Sequence, residues 1–385
     1  MNLCKNLLKI WFIAGIALAV LTTVGCKKKT DSTVSTSSNS SVSANQIDAS
    51  NLQLITLTEE KERDDFRANI RALVLKNDFQ SLESQAEDFR SNKSRFQNGY
   101  WKLRAFYVAF GDLAENVGDQ SWSEFIGKLQ QWARDYTNSI TPRLALAEAY
   151  RGYAWVARGT DTGDKVTETG AKLMNERLAK SFDCLRQAKS LLKNKKDFGF
   201  YAITLRVCLG AGLNRAAYEK LFDTGVQNAQ DYSPIYEYKA YYLLPRWYGQ
   251  QGEWETFART ISKQKNIPGS EEIFARVALY LRDLGYFYQE FSASDASWED
   301  LKSSFHVIEK NYPDSLEIKS ILCLISIKLC DYKEGREQMK LLDGKVDLSV
   351  WGSKENFLGA AQWLDRDDVS LEGVRQQFKA QRHQN

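Results

Sequence analysis

The chain has few of the residues on which most enzyme sites depend. Among its 385 residues are only two histidines, His306 and His383, and the second lies two positions from the end. No Cys/His spacing suits zinc, no glycine-rich phosphate loop follows a strand, and no nucleophile elbow is present. A net charge of +3 is too close to balance to indicate nucleic-acid binding. We therefore expect no enzyme activity, no metal, no cofactor and no nucleic-acid partner.

Two weaker signals for chemistry have ordinary structural interpretations. Residues 159–164 hold two acids three positions apart, Asp161 and Asp164, which partly resembles a calcium loop but lacks the later ligands. A solvated turn before the next helix explains the same residues. His306 lies between apolar residues of a predicted helix and is interpreted as structural. Scattered carboxylates leave an unrecognised enzyme site as an alternative without positive support.

Proline is also scarce, with five residues, and apolar side chains recur at helical spacing along most of the chain. One such stripe is formed by Trp122, Phe125, Ile126 and Leu129, which fall on one face of a helix. No convincing period-two stretch interrupts these stripes. The pattern predicts an all-α array of antiparallel helix pairs over residues 51–378, followed by a short polar tail.

The repeat signal is clearest near the carboxyl end. The run Tyr-Pro-Asp-Ser at 312–315, a helix, the turn at Asp331, then Gly335 and Met339 resemble a tetratricopeptide repeat. In such a repeat a small residue and a large apolar one lock the second helix against the first. The turn has an echo 78 positions earlier, at Glu253, which is not a multiple of the usual repeat of about 34 residues. The fold class is therefore predicted as an irregular tetratricopeptide-like α-solenoid of antiparallel helix pairs, a superhelix with a concave face.

The amino terminus has the pattern of an export signal. Lys5 and Lys9 precede an uncharged apolar run at 10–21, which is shorter than the roughly 20 residues of a bilayer span. The segment ends on Gly25 and Cys26, which resemble a bacterial lipobox, although Thr23 stands where Leu is common. In lipoproteins of this kind the mature chain begins at the Cys, which carries the acyl chains.

The residues after Cys26 predict a tether and a cellular location. Residues 30–50 are mostly Ser, Thr, Asn, Asp and Ala, which cannot bury enough apolar surface to fold. The residue after Cys26 is Lys27 rather than an Asp. In a host with an outer membrane, this resembles the sorting signal for that membrane. We expect residues 1–25 to be a signal peptide and 26–50 a lipid-anchored tether, with the protein exported to the cell envelope.

Export places the remaining cysteines in a compartment that permits disulfides. Cys323 and Cys330 are seven positions apart on one predicted helix, about 10 Å and therefore too far for a bridge. Cys184 and Cys208 lie on successive predicted helices and could face each other. The alternative is that both are buried free thiols, which behave as small hydrophobic side chains.

Three motifs between residues 132 and 257 carry a second resemblance. They are 150–155 with Ala-Arg-Gly at 157–159, Val-Thr-Glu-Thr-Gly at 166–170, and Leu-Leu-Pro-Arg-Trp-Tyr-Gly at 243–249 with Gly-Glu-Trp-Glu at 252–255. Together they resemble a family of bacterial proteins known only as a domain of unknown function. The chain departs from that family at Thr169 and at Gln250 and Gln251. The resemblance implies a helical, tetratricopeptide-like domain and no known activity.

The third motif is expected to build a turn with exposed functional groups. Pro245 removes a helical hydrogen bond and should kink or end its helix. The aromatic side chains around it form either a recognition platform for peptides or sugars or wedges in the core, with Arg246 snorkelling or paired with Glu253. Arg158 and Arg246, each close to a tryptophan, either anchor a carboxylate or form internal salt bridges. The candidate binding residues are Tyr150, Trp155, Arg158, Arg246, Trp247, Tyr248, Glu253 and Trp254.

These features predict a membrane-anchored scaffold that binds a peptide or protein partner in the cell envelope without catalysis. The alternative is a lipoprotein that binds a glycan or small ligand in an aromatic-lined pocket. Two or more exposed Trp or Tyr rings in one pocket would favour the ligand, whereas a long groove with rows of Arg and Asn would favour the peptide. The sequence does not indicate an oligomeric state.

Overall fold

The computed structural model describes residues 51–113, 117–159, 165–192 and 197–364. The predicted signal peptide, Cys26 with its tether, the acidic turn at 160–164 and the carboxyl-terminal residues from 365 onward lie outside the described residues. Within the described part of the chain, no helix is both long enough and apolar enough to cross a membrane.

The described chain is an all-α array of helices, and the predicted fold class is confirmed. Its helices are α1 (Glu59–Leu75), α2 (Phe79–Ser91), α3 (Lys102–Gly111), α4 (Asp119–Asp135), α5 (Thr141–Arg158), α6 (Glu168–Leu191), α7 (Gly199–Gly210), α8 (Arg215–Asn228), α9 (Pro234–Tyr242), α10 (Glu253–Ser262), α11 (Ile273–Asp283), α12 (Phe287–Ser292), α13 (Trp298–Asn311), α14 (Leu316–Lys328), α15 (Tyr332–Leu342), α16 (Leu348–Trp351) and α17 (Lys354–Trp363). A 3-10 turn spans Ser270–Glu272, and two short strands are β1 (Gln53–Ile55) and β2 (Lys345–Asp347).

Side-chain caps explain where many of these helices begin. Thr58, Asp78, Thr167, Ser315 and Asp331 each accept a hydrogen bond from the backbone N–H three residues later. Such a cap satisfies one of the backbone donors that a helix start leaves without a partner. The helix boundaries are therefore set largely by local sequence.

The predicted tetratricopeptide-like pair is formed by α14 and α15. A Cβ at Gly335 would lie 2.6 Å from Leu364 Cδ2 and 3.3 Å from Ile327 Cγ1, so the glycine allows close approach of the helices. Cys323 donates its thiol hydrogen to the Gly335 carbonyl at 3.4 Å. Met339, four residues on, is buried as predicted.

Two short strands join the segment before α1 to the segment after α15, which the sequence did not predict. β1 pairs in parallel with β2, in the register Gln53 with Lys345, Leu54 with Val346 and Ile55 with Asp347. The strands are three residues each, too short to show a period-two pattern. The pairing therefore links residues almost 300 positions apart in the sequence.

A buried set of charged and polar side chains, which we call the polar junction, joins α1 to α14. It comprises Glu59, Arg63, Asn98, Arg276 and Glu317. Arg63 donates two hydrogen bonds to Glu317, at 2.6 and 2.8 Å, and Asn98 Nδ2 donates a third at 2.8 Å. Arg276 donates to the Asn98 carbonyl at 2.7 Å. Beside these side chains lies a cavity of about 40 Å³ with room for a few waters.

Glu59 connects the start of α1 to the start of α14. Its carboxylate accepts hydrogen bonds from Ser315 Oγ at 2.8 Å and from the backbone N–H of Glu317 at 3.0 Å. Burial, followed by the nearby charge of Glu317, raises the pKa of Glu59 to about 7. The junction therefore contains a carboxyl group that titrates near neutral pH.

Two hydrophobic cores run through the array. One contains buried residues from α1 to α7, and the other contains Trp101 and buried residues from α7 to α17. Trp155, Phe182, Phe198 and Tyr201 pack against both cores. The carboxyl end of α5, which carries Trp155, therefore lies where the two cores meet.

The bridge considered between Cys184 and Cys208 does not form. Both are free and buried, and they belong to different cores, Cys184 to the first and Cys208 to the second. Helix neighbours along the chain can thus present their cysteines to different partners. Burial raises the pKa of each thiol to about 12, as expected for inert core residues.

Candidate functional site

The third sequence motif folds as a tight turn after α9. The helix ends at Tyr242, before Pro245, so the prediction that this proline ends its helix is confirmed. The backbone N–H of Tyr248 donates to the Tyr242 carbonyl at 3.2 Å, and that of Gly249 to the Leu244 carbonyl at 3.3 Å. A Cβ at Gly249 would lie 1.8 Å from the Leu243 carbonyl oxygen, so only glycine fits this position.

The turn brings the first and third motifs together. The rings of Trp155 and Trp247 pack edge to face, with centroids 5.8 Å apart, a favourable geometry for aromatic pairs. Tyr241 packs against Trp247 from the other side at 5.7 Å. The second motif packs closely against α5. A Cβ at Gly170 would lie 2.6 Å from the Ala157 carbonyl oxygen, so the glycine allows this contact. Trp155 and Trp247 are both half-buried.

Arg246 lies on the outer side of this aromatic cluster. Its guanidinium carbon is 4.4 Å from the ring centroid of Tyr286 and 5.3 Å from that of Trp247. The residue is exposed, and no ion pair or hydrogen bond joins its guanidinium to another of the residues that the structure describes. A guanidinium held over a ring can still donate hydrogen bonds from its N–H edges. Arg246 is therefore the group here best placed to receive an anion.

The proposed pair between Arg246 and Glu253 is not formed. Glu253 instead accepts from Arg215 at 2.5 Å and from the backbone N–H of Gln250 at 2.9 Å. The first of these hydrogen bonds, with Arg215, lowers the pKa of Glu253. Glu253 therefore fastens the start of α10 to α8 and leaves Arg246 to the aromatic rings.

Arg158 occupies a similar position over the other tryptophan but is engaged by its own surroundings. Its guanidinium carbon is 5.4 Å from the Trp155 ring centroid. The side chain is half-buried and donates to the Gly159 carbonyl at 3.3 Å. It extends the cationic edge of the site without matching the exposure of Arg246.

Tyr248 ends a stack of three tyrosine rings. The rings of Tyr218 and Tyr242 lie 3.7 Å apart, and those of Tyr242 and Tyr248 lie 4.6 Å apart. Tyr248 is the outermost ring and is 38% exposed. Val156, next to Trp155, is 54% exposed. The first and third motifs therefore each carry one exposed apolar side chain.

Three of the predicted site residues lie elsewhere or are buried. Trp254, predicted as a candidate binding residue, is fully buried, so for this residue the binding prediction was wrong and the alternative of a core wedge applies. Tyr150 lies on α5 about 140° around the helix from Trp155, where its hydroxyl accepts from Gln130 at 3.1 Å. Glu253 serves the α8 contact described above. The structure thus brings together Trp155, Arg158, Arg246, Trp247 and Tyr248.

Two aromatic members of the site were missed by sequence reasoning. Tyr286 stacks under Arg246 from the turn between α11 and α12, 40 positions along the chain. Tyr241 lies in the aromatic helical run before Pro245, and nothing in the sequence separates it from that run. The Gly-Tyr-Phe-Tyr run at 285–288 is an aromatic turn signal, but nothing local relates it to Arg246. We use the name Arg246 surface for Trp155, Val156, Arg246, Trp247, Tyr248 and Tyr286.

Other parts of the described chain offer less to a ligand. A cavity of about 230 Å³ is lined mainly by polar residues, with Tyr312 as its one ring, unlike the aromatic lining typical of ligand pockets. His306, on α13, faces α15, with Nδ1 2.7 Å from Glu309 and Nε2 3.4 Å from Glu334. Among the described residues, no three His, Cys, Asp or Glu side chains are placed to hold a metal ion.

Comparison with protein-family models, curated proteins and solved structures finds no match for this chain. The resemblance of residues 132–257 to a bacterial family therefore stays a prediction. Function has to be argued from the geometry of the site.

Proposed function

We propose that this protein is a lipid-anchored scaffold of the bacterial cell envelope that binds a peptide segment of a partner protein at the Arg246 surface. The observation that supports this most directly is the stacked, exposed guanidinium of Arg246, which has no acidic partner among the described residues. Trp, Tyr and Arg are the residues that dominate binding energy at protein interfaces. No catalytic step is part of the proposal.

The chemistry of the surface suggests what the peptide carries. A planar guanidinium binds a carboxylate through two parallel hydrogen bonds, which a lysine cannot reproduce. Tyr248, two residues after Arg246, and Val156, next to Trp155, have exposed apolar area. We infer a ligand with an acidic side chain or a free carboxyl terminus next to an apolar residue.

Selection from a random peptide display library tests this proposal on the whole protein. We expect enriched peptides to share an acid next to an apolar or aromatic residue. Arg246→Ala should weaken their binding at least tenfold, and Arg246→Lys should recover only part of it. Arg134→Ala is the matched control, because Arg134 is also exposed, near the end of α4.

The outcome that contradicts the proposal is equal binding by Arg246→Ala and Arg134→Ala at unchanged stability. Thermal unfolding serves as the folding control, since surface substitutions of this kind change stability by only about 0.5 kcal/mol. The lipid anchor is tested separately, by the mass of the Cys26 peptide from membranes of expressing cells. No observation in the two described cavities favours the glycan or small-ligand alternative.

A further inference from the structure

Arginines from three helices share two buried carboxylates. Arg151 of α5 and Arg206 of α7 donate hydrogen bonds to Glu148 at 2.7 and 2.8 Å, and Arg104 of α3 donates to Glu237. The Glu148 and Glu237 side chains are 0% and 3% exposed. We call these five residues the arginine cluster. It holds one positive charge more than its carboxylates neutralise.

The two parts of the arginine cluster meet at one tyrosine ring. The guanidinium carbons of Arg104 and Arg206 lie 5.4 and 5.2 Å from the ring centroid of Tyr238. The other charged side chains that line the cavity beside Arg104 already have charged partners. The pairs are Arg63 with Glu317, Arg276 with Glu272 and Asp283 with Arg282. The lining of the cavity therefore does not cancel the excess positive charge of the cluster.

Arg104 also has a hydrogen-bond donor without a partner. Its side chain is 10% exposed, and its Nε has no acceptor among the described residues. Trp101 lines the same cavity, and its Nε1 likewise has no acceptor. The cavity volume of about 40 Å³ accommodates roughly three water-sized groups, and a carboxylate has that number of heavy atoms. The cavity therefore suits a small acceptor group of negative charge.

One face of α9 and one face of α11 lead from this cavity to the Arg246 surface. On α9, Glu237 lines the cavity, and Tyr241, four residues later, packs against Trp247 at 5.7 Å. Residues four apart lie on the same face of a helix. On α11, Tyr280 and Asp283 line the cavity. Asp283 is exposed, which places this end of the cavity at the protein surface.

Tyrosine rings connect the two ends of this path. Tyr280 lies 4.9 Å from the guanidinium carbon of Arg104. Tyr241 contacts both Tyr280 and Tyr286, at 6.0 and 5.9 Å, and Tyr286 lies 4.4 Å from the guanidinium carbon of Arg246. The three tyrosines are half-buried, so each has area open to solvent. The two arginines are thus separated by no more than about six extended residues span.

We propose that the peptide bound at the Arg246 surface lies along α9 and α11 and places a second acidic side chain at the arginine cluster. This inference rests on the peptide binding proposed above and adds a second acid to the ligand. The excess positive charge and the unpartnered Nε of Arg104 favour a carboxylate at this point. The second acid should follow the first by about four to six positions, because one extended residue spans about 3.3–3.6 Å.

A display library with two restricted positions tests the inference on the whole protein. Aspartate and asparagine are equally frequent at one position and again four, five or six positions away, and the remaining positions are random. The two side chains have nearly the same shape, so a preference between them reports charge. We expect the unmodified protein to enrich aspartate at both positions, by at least about fivefold.

Arg206→Met separates the second position from the first. Glu148 keeps Arg151 as its partner in this variant, and the excess positive charge is gone. We expect the aspartate preference at the second position to disappear and that at the first to remain. Arg186→Met is the matched control, because Arg186 of α6 also pairs with one acid, Asp183, but is 77% exposed. Melting temperatures check that both variants are folded.

An aspartate preference at only one position, lost in Arg246→Ala, would overturn this inference and leave the proposed function standing. Absence of a preference at both positions would overturn the two together. The inference is also wrong if the second preference persists in folded Arg206→Met, or if Arg186→Met loses it as well. The selection on the unmodified protein decides the first two outcomes without any variant of the arginine cluster.

Discussion

Removal of Arg63 is expected to destabilise the whole array, because it leaves Glu317 charged and buried. The Arg63 and Glu317 side chains are 8% and 7% exposed and join through both guanidinium nitrogens. Breaking such a buried pair from one side costs about 3–5 kcal/mol, mainly because the remaining charge loses its partner. Asn98 stays as a donor to Glu317, so we expect about 3 kcal/mol for Arg63→Met at pH 7.

A double-mutant cycle separates this penalty from the loss of packing. Arg63→Met keeps most of the side-chain stem, and Glu317→Leu removes the carboxylate. We expect the double variant to recover most of the loss, since an apolar pair of similar volume can replace a buried ion pair at little cost. The free energy of unfolding is measured by urea denaturation followed by circular dichroism, for all four proteins at one pH.

The pH dependence gives a second check on the same reasoning. Burial raises the pKa of Glu317, but Arg63 outweighs burial and holds it below the usual value. Without Arg63 the burial effect dominates, so the native state takes up a proton and the deficit of Arg63→Met should shrink as pH falls from 8 to 5. A loss under about 1 kcal/mol at pH 7, or a double variant no more stable than Arg63→Met, would refute the reasoning.

Three further predictions concern titration and thiols. Because the pKa of Glu59 is raised from 4.5 to about 7, folding takes up a proton between those values; stability should fall by up to about 3 kcal/mol as pH rises through that range, and Glu59→Gln should flatten the melting-temperature profile. Hydrogen bonds to Glu309 and Glu334 raise the pKa of His306 to about 10. The protonated imidazole therefore stabilises the fold fully below pH 6.5, and this stabilisation is lost as pH rises through 10. His306→Gln should therefore cost more at pH 6 than at pH 10.5, by about 1 kcal/mol or less, as the ring is 46% exposed. Of the four thiols between Asn51 and Leu364, only half-buried Cys330 should react quickly with Ellman's reagent before unfolding.

Features written in short stretches of sequence were predictable. The small residue at Gly335, the large apolar one at Met339 and the end of α9 before Pro245 were each indicated by residues a few positions apart. The spacing around Trp254 left a binding role and a core role open, and its burial decides for the core. Local propensity and periodicity are sufficient for such features.

Features that depend on distant partners were not predictable. Arg63 and Glu317 are 254 positions apart, and neither residue carries a local sign of the other. The pairing of Arg246 with Glu253, which the sequence left as one alternative, does not form, and Arg215 from another helix binds Glu253 instead. Spacing alone likewise could not show that Cys184 and Cys208 face different cores. A single sequence shows which residue types can form such contacts, but not which distant residues contact each other.

The pairing of β1 with β2 has a consequence for the order of assembly. An open solenoid can nucleate at any repeat and grow outward, since each unit contacts only its neighbours. Here α1 packs early against its sequence neighbours in the first core, but β1 finds its partner strand only after residue 347 exists, and closing a loop of that size costs about 5 kcal/mol in chain entropy. Synthesis must therefore be nearly finished before β1 can pair, and deletion of either strand should loosen the other.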